Sequence, residues 1–257
     1  MSSKGPSASG RPAKVRLIVL RTGNAAPEVA ARRGEFFSWI RREVGDAWSG
    51  EWHEHDVRTD HPLPHAGEAS AFIITGSSSS VTERAPWMLR TEALIRDIAD
   101  AKTPLFGICF GHQIVAQALG GAVAKNPRGR EIGTVEVQVH HHDPRDPILE
   151  HVGERFHANH THVDSVIQLP PNARRLASTA LEENSAYSIG SHIKCVQFHP
   201  EFDGEVMRGY ISARAHLIHA EGGDSTSMLA RAVDAPGSAS LLRNFVRHVV
   251  ARPLVTL

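Results

Sequence analysis

The sequence predicts an α/β fold of three layers: a mostly parallel central sheet with helices on both faces. Three observations carry this expectation. Short, unbroken apolar runs recur along the first half of the chain, the pattern of strands buried on both faces. Amphipathic helical stretches lie between them. The joints are short, so successive strands connect by right-handed crossovers and run parallel.

The elements follow in order. Residues 15–20 (VRLIVL) read as a buried strand, and residues 28–44 as a helix with Phe36, Phe37, Ile40 and Val44 on its apolar stripe. A second buried strand, 71–75, ends in the turn Gly76-Ser77-Ser78-Ser79-Ser80. A helix over 87–101 sets Leu94, Ile95 and Ile98 on one face and stops before Pro104. Residues 104–108 form the third strand, and 113–119 a helix closed by Gly120-Gly121. Residues 131–140 alternate through Ile132, Val135, Val137 and Val139, which suggests antiparallel strands, with further short strands over 162–169 and 185–198. Helical patterning returns over 205–220 and 240–250. With no internal repeat and no long linker, residues 14–257 are expected to form a single domain, with a β-rich insertion and a C-terminal helical extension. Residues 1–13, rich in Ser, Gly, Pro and Lys, have the composition of a disordered tail.

Composition excludes several function classes. Lys and Arg total 28 against 28 Asp and Glu, so the basic surplus that drives nucleic-acid binding is missing. Two cysteines, Cys109 and Cys195, make no disulfide framework and suit a reducing compartment. Residues 103–124 carry no charge over a membrane-spanning length, but Pro104, His112, Gln113, Gln117 and several glycines interrupt the run, so no membrane contact is expected. The apolar stretch at 15–20 is too short for a signal peptide, and a cytoplasmic location is expected. No phosphate-binding loop of the Gly-x-x-x-x-Gly-Lys-Ser/Thr type occurs. The contiguous His140-His141-His142 cannot all face one ion. Neither cofactor nor metal is therefore expected, and Cys195 reads as a packing thiol.

Chemistry concentrates in two motifs. Gly107-Ile108-Cys109-Phe110-Gly111-His112-Gln113 reads as strand, turn and helix with a thiol at the apex, the cysteine version of a nucleophile elbow. Cys109 would sit at a helix N-terminus, where free N–H groups favour a thiolate, and the Phe110 N–H would face a developing oxyanion. The competing reading is a buried structural cysteine. Downstream, Val196-Gln197-Phe198-His199-Pro200-Glu201 supplies a base and, two residues on, a carboxylate to orient it. Alone, His199 is one histidine among 17.

Taken together, residues 107–121, Arg130-Glu131-Ile132-Gly133, Thr161-His162-Val163-Asp164-Ser165-Val166 and residues 196–201 resemble the class I glutamine amidotransferases of the Cys-His-Glu type. The likeness covers roughly residues 14–202. It is nearest to the glutaminase part of GMP synthase and to stand-alone relatives that include γ-glutamyl peptidases. The resemblance implies a flavodoxin-like fold. It implies that Cys109 forms a γ-glutamyl thioester, that His199 protonates the departing amine and then activates water, and that Glu201 orients His199. It implies that Gln113, Arg130, Glu131 and His162 line the substrate pocket. Arg130-Glu131 as a solvated charge pair, and His162 with Asp164 as a loop-fixing pair, stay open as alternatives.

One departure matters. Where synthase glutaminases carry Gly-Gly-Pro, this chain has Gly76-Ser77-Ser78, so the second oxyanion N–H would come from Gly76 or Ser77, unless the serine run is only a flexible polar loop. The motif therefore supports thioester chemistry better than free glutamine as substrate. The leading expectation is a stand-alone amidotransferase hydrolysing the γ-amide of glutamine or another small γ-glutamyl compound, with a separate ammonia-accepting synthetase as one conceivable partner. A γ-glutamyl peptidase acting alone, or a non-catalytic regulatory module, are the alternatives.

Overall fold

The computed structural model describes residues 15–142 and 144–250, so the tail expected over 1–13 lies outside the described residues. Its strands are β1 (Arg16–Arg21), β2 (Glu51–Asp56), β3 (Ala71–Ile74), β4 (Leu105–Ile108), β5 (Ala122–Lys125), β6 (Glu131–Val139), β7 (Arg155–His162), β8 (Asp164–Gln168), β9 (Ala173–Ser178), β10 (Ala186–Ile189) and β11 (Ile193–Val196). The helices are α1 (Pro27–Arg33), α2 (Phe36–Val44), α3 (Pro86–Asp100), α4 (Phe110–Ala118), α5 (Gly204–Ala213), α6 (Ala215–Ala220), α7 (Ser225–Arg231) and α8 (Pro236–Phe245). Nine strands make one sheet in the order β2-β1-β3-β4-β11-β10-β9-β6-β7. Pairing is parallel from β2 to β11, where the sequence alternates strand and helix. It is antiparallel from β11 to β7, where apolar and polar residues alternate. β5 and β8 pair separately.

The unbroken apolar runs have the cause inferred for them. Successive side chains of a strand point to opposite faces, so Leu17, Val19, Ile73, Phe106 and Ile108 pack in the apolar layer beneath α2, α5 and α8. Ile18, Leu20, Phe72, Ile74 and Leu105 pack in the layer beneath α3 and α4. Each fully buried aliphatic side chain contributes about 1.5–3 kcal/mol, and along a central strand every residue contributes to one face or the other in turn.

Several boundaries differ from expectation for local reasons. The helix expected over 28–44 is two, broken where Gly34 adopts φ 82° and Glu35 is extended. That break lets the Glu35 carboxylate accept a hydrogen bond from the Ala25 N–H at 2.9 Å. The helix expected over 205–220 also divides, at Arg214 (φ −107°, ψ 7°). The segment 185–198 turns back on itself as β10 and β11. Strand β2 escaped detection because it reads Glu-Trp-His-Glu-His-Asp. It is an edge strand, and its acidic residues meet Arg16 (Glu51, 3.7 Å) and Arg21 (Asp56, 2.9 Å) of β1. Charge on an edge strand opposes pairing with another chain. Among the described residues, no helix is long and apolar enough to cross a membrane.

Candidate active site

Parallel neighbours end on the same side of a sheet, and β4 and β11 are parallel neighbours. Cys109 follows β4 and His199 follows β11, so pairing Ile108 with Val196 brings the two ends together. The Cys109 N–H donates to the Val196 carbonyl at 2.9 Å, tying the elbow to the His199 strand. Cys109 has φ 52°, a conformation that side chains rarely adopt and that marks a stored constraint. Glycine is required on both sides of it. A Cβ on Gly111 would lie 2.5 Å from the Ile74 carbonyl oxygen, and one on Gly107 would lie 2.7 Å from that of Gly111.

The His199 Nδ1–H donates to Glu201 Oε1 at 2.8 Å, which leaves Nε2 free for the neighbouring Cys109 thiol. Phe202 stacks on the imidazole at 4.1 Å between centroids, and the Phe36 ring lies nearly parallel to it at 6.2 Å. The His199 N–H reaches the Asn159 carbonyl of β7 at 2.8 Å. The ring is thus fixed by its backbone, its stacking and its carboxylate. Cys109 is 5% exposed, His199 2% and Glu201 fully buried, so their charges act on one another with little screening. Burial resists ionisation of the thiol, but the charge and hydrogen bond of His199 outweigh it and hold the Cys109 pKa below its ordinary value. Burial also opposes charge on His199, yet Glu201 and Cys109 together raise its pKa. Both shifts favour a thiolate beside an imidazolium.

A second cation flanks the thiol. His162 Nδ1 faces the Asp164 carbonyl at 3.0 Å and Nε2 faces Glu131 Oε2 at 3.0 Å. Both partners accept, so both ring nitrogens must donate. Burial lowers the His162 pKa, but the hydrogen bond and charge of Glu131 raise it further. Glu131 also accepts from Thr179 at 2.5 Å and approaches His160 Nδ1 at 3.0 Å. Burial pushes its carboxyl upward, and the two histidines bring it below the usual carboxylate range. Glu131, His160 and His162 place three potential metal-ligand atoms within 4.8 Å of one another, but Nε2 of His162 and Oε2 of Glu131 are already hydrogen-bonded together. The consecutive histidines diverge: His140 bonds Ser178, His141 faces Glu154 and His142 reaches the Arg175 carbonyl.

The remaining sequence-predicted residues take distinct places. Gln113 lines the cleft, with its amide nitrogen held by the Asp164 carbonyl (2.9 Å) and Gln197 Oε1 (3.0 Å). Arg130 lies at the cleft edge in a two-pronged ion pair with Glu221 (2.8 and 2.9 Å). Glu131, one residue on, points the other way and reaches the cleft only through His162. Ser77 lines the cleft beside Cys109. None of the N–H groups of Gly76, Ser77 and Phe110 has an acceptor among the described residues, and the Gly76 carbonyl accepts from the Thr22 hydroxyl at 3.1 Å.

A family model described as glutamine amidotransferase class-I matches residues 51–216, a span that holds Cys109, His199 and Glu201. The chain belongs to the class I glutamine amidotransferases. Gamma-glutamyl peptidase 4 of Arabidopsis thaliana is 33% identical over 138 residues, 53% of this chain and 55% of the plant protein. The chain therefore spans about half the length of that relative. The glutamine-hydrolysing GMP synthase of Vibrio atlanticus is 31% identical over 201 residues, 72% of this chain and 32% of the synthase. Among solved structures, a glutamine amidotransferase from Thermotoga maritima shares the fold, with a TM-score of 0.72 and 23% identity over 93% of this chain and 99% of that one.

In this amidotransferase, sequence reasoning missed one whole wall of the cleft. Asn24, Ala25 and Ala26 between β1 and α1, Pro27 and Glu28 of α1, Tyr210 of α5, and Arg214 and Leu217 beyond it line the cleft with Cys109. No motif announces them; a hydrogen bond from the Ala26 N–H to the Tyr210 hydroxyl (3.3 Å) joins the two segments across the fold.

Proposed function

We propose that this amidotransferase hydrolyses γ-glutamyl amides through a Cys109 thioester. One observation carries the reading: the thiol, imidazole and carboxylate of Cys109, His199 and Glu201 form a buried relay, with Nδ1 bonded to Glu201 at 2.8 Å and Nε2 turned to sulfur. The thiolate attacks the γ-carbonyl carbon, and the resulting oxyanion is met by the free N–H groups of Phe110 and Ser77. His199 gives its proton to the departing nitrogen as the C–N bond breaks, leaving the γ-glutamyl group on sulfur. Water then attacks the thioester carbon and loses a proton to His199, releasing glutamate and restoring the thiolate–imidazolium pair. Gln113, Arg130 and His162 line the side of the cleft where the glutamyl chain would lie, and Glu131 supports that side through His162.

The test incubates the protein with glutamine and γ-glutamyl peptides and measures glutamate and the released amine. Hydroxylamine should divert the thioester to γ-glutamyl hydroxamate. Absence of both glutamate and hydroxamate with every donor would overturn the reading. A second reading, ammonia supply to a separate synthetase, draws on the likeness to GMP synthase. It requires glutamine to be the best donor and a partner to accelerate its hydrolysis.

A further inference from the structure

The cleft has two lobes that meet at Cys109. They share Ser77, Ser78, Thr161, Arg214 and Leu217 as a common wall. One lobe, about 390 Å³, runs towards Gln113, His162 and Asp164 and does not touch His199. The other, about 400 Å³, is lined by His199, Asn24, Glu28, Tyr210 and Ala213. Proton transfer requires the leaving nitrogen within hydrogen-bonding reach of the imidazole. The leaving amine must therefore depart into the His199 lobe, with the glutamyl chain in the other.

That lobe is far too large for ammonia. A small molecule of water's size fills about 30 Å³, less than a tenth of the roughly 400 Å³ present. Its chemistry is also specific. Arg214 is half-buried and has no carboxylate or hydrogen-bond acceptor for its guanidinium among the described residues. Its guanidinium carbon lies 4.7 Å from the Tyr210 ring, and the Cys109 sulfur across the cleft attracts it. Nearby cations are already paired: Arg130 with Glu221, Arg33 with Asp203 and Glu205, and Arg42 with Glu43. Tyr210 lines only the His199 lobe, so the face on which Arg214 rests belongs to that side. The one acid in this lobe, Glu28, is exposed in the first turn of α1. An unpaired guanidinium in a cleft wall is a fork-shaped receptor for a carboxylate.

Resting on the γ-glutamyl hydrolase reading above, we infer that the His199 lobe is a leaving-group subsite for an amino acid or short peptide, whose free carboxylate is held by Arg214. The reaction balances as hydrolysis: the γ-glutamyl C–N bond breaks, water supplies the hydroxyl of glutamate, and the amine leaves protonated by His199.

Three donors separate the outcomes: glutamine, γ-glutamylethylamide and γ-glutamylglycine. The last two differ mainly in the carboxylate. The wild type should favour γ-glutamylglycine over γ-glutamylethylamide in kcat/KM by about 10- to 100-fold, the range for a charge-assisted hydrogen bond. Arg214→Gln should remove most of that ratio. Ala213→Phe, which fills the lobe, should lower kcat/KM for γ-glutamylglycine relative to glutamine by about tenfold or more. It decides the matter by itself if the arginine variant does not fold, folding being checked by the thermal midpoint and by Cys109 alkylation. Equal loss on γ-glutamylglycine and γ-glutamylethylamide in Arg214→Gln would assign the guanidinium to the glutamyl chain and overturn the inference. So would an unchanged ratio, or an Ala213→Phe protein with unaltered selectivity. A wild type that hydrolyses glutamine but neither γ-glutamyl amide refutes the subsite and leaves the thioester chemistry standing; one that hydrolyses none refutes both.

Discussion

The two cysteines offer a test of the thiolate that needs no substrate. An ordinary thiol titrates near 8.5, so about 3% of it is thiolate at pH 7. Cys109 is shifted below its ordinary value by His199 and should exceed that fraction. Cys195 is fully buried in β11, and burial pushes its pKa up to about 12. At pH 7 roughly one Cys195 in 10⁵ is then ionised, so alkylation by iodoacetamide should be at least about 10³-fold faster at Cys109. The pH profile carries a sign. The Cys109 rate should rise through a lowered pKa and hold level while His199 stays protonated, which its pKa of about 10 extends well into the alkaline range. In His199→Ala the imidazolium is gone and burial dominates, so labelling at pH 7 should slow by about tenfold or more. Peptide mass spectrometry of timed alkylation reads both sites at once. Labelling of Cys109 and Cys195 within tenfold of each other, or a Cys109 rate indifferent to His199→Ala, would refute the ion pair.

Four substitutions extend the test. Cys109→Ser should abolish glutamate release while shifting the thermal midpoint by only about 2 °C, since the thiolate is the reagent and not a structural support. Glu201→Gln should lower kcat by about 10- to 100-fold, less than His199→Ala, because the amide oxygen still accepts from Nδ1 but no longer stabilises the imidazolium. Gly76→Ala would set a Cβ 2.8 Å from His199 Cε1 and must displace the ring, so kcat should fall by about 10²-fold with little change in urea midpoint. Glu131→Ala should cost about 3–5 kcal/mol, measured by urea unfolding at pH 7, by leaving His160 and His162 without their buried partner. The Glu131 carboxyl is depressed relative to its ordinary 4.5, so its contribution is full above that pH and declines as pH falls towards the depressed value. The gap between wild type and variant should therefore narrow in acid.

How much of this was legible in the sequence depends on whether a residue's partner is near in the chain. Cys109 and its flanking glycines form one local turn, and His199 and Glu201 are two residues apart, so both halves could be recognised and the parallel pairing of β4 with β11 had only to join them. The strands of the parallel half were visible because burial on two faces leaves an unmistakable run. β2 was not, because an edge strand is selected for charge. Arg130 and Glu131 show where local reading fails. As neighbours they look like a pair, but Arg130 lies in the loop before β6 and Glu131 opens the strand, and their side chains part. One closes on Glu221 of the helical region and the other on histidines of β7. Arg214 and Tyr210 were read only as helix, since nothing in an ordinary amphipathic pattern says that its polar edge overlooks a thiol.

The two walls of the cleft have different origins in the chain. Gln113, His162 and Asp164 belong to the β4 elbow, β7 and β8, fixed by the same hydrogen bonds that hold the nucleophile. Tyr210, Ala213, Arg214 and Leu217 ride on α5 and α6, which join this wall through contacts such as Tyr210 with Ala26 and Glu221 with Arg130. Changes in the first group should disturb the thiol; on the subsite proposed above, changes at Tyr210 and Ala213, which line only the His199 lobe, should reshape what departs from it. On that proposal, a lineage built on this scaffold would exchange one leaving group for another by redrawing two helices, with the acyl chemistry inherited intact.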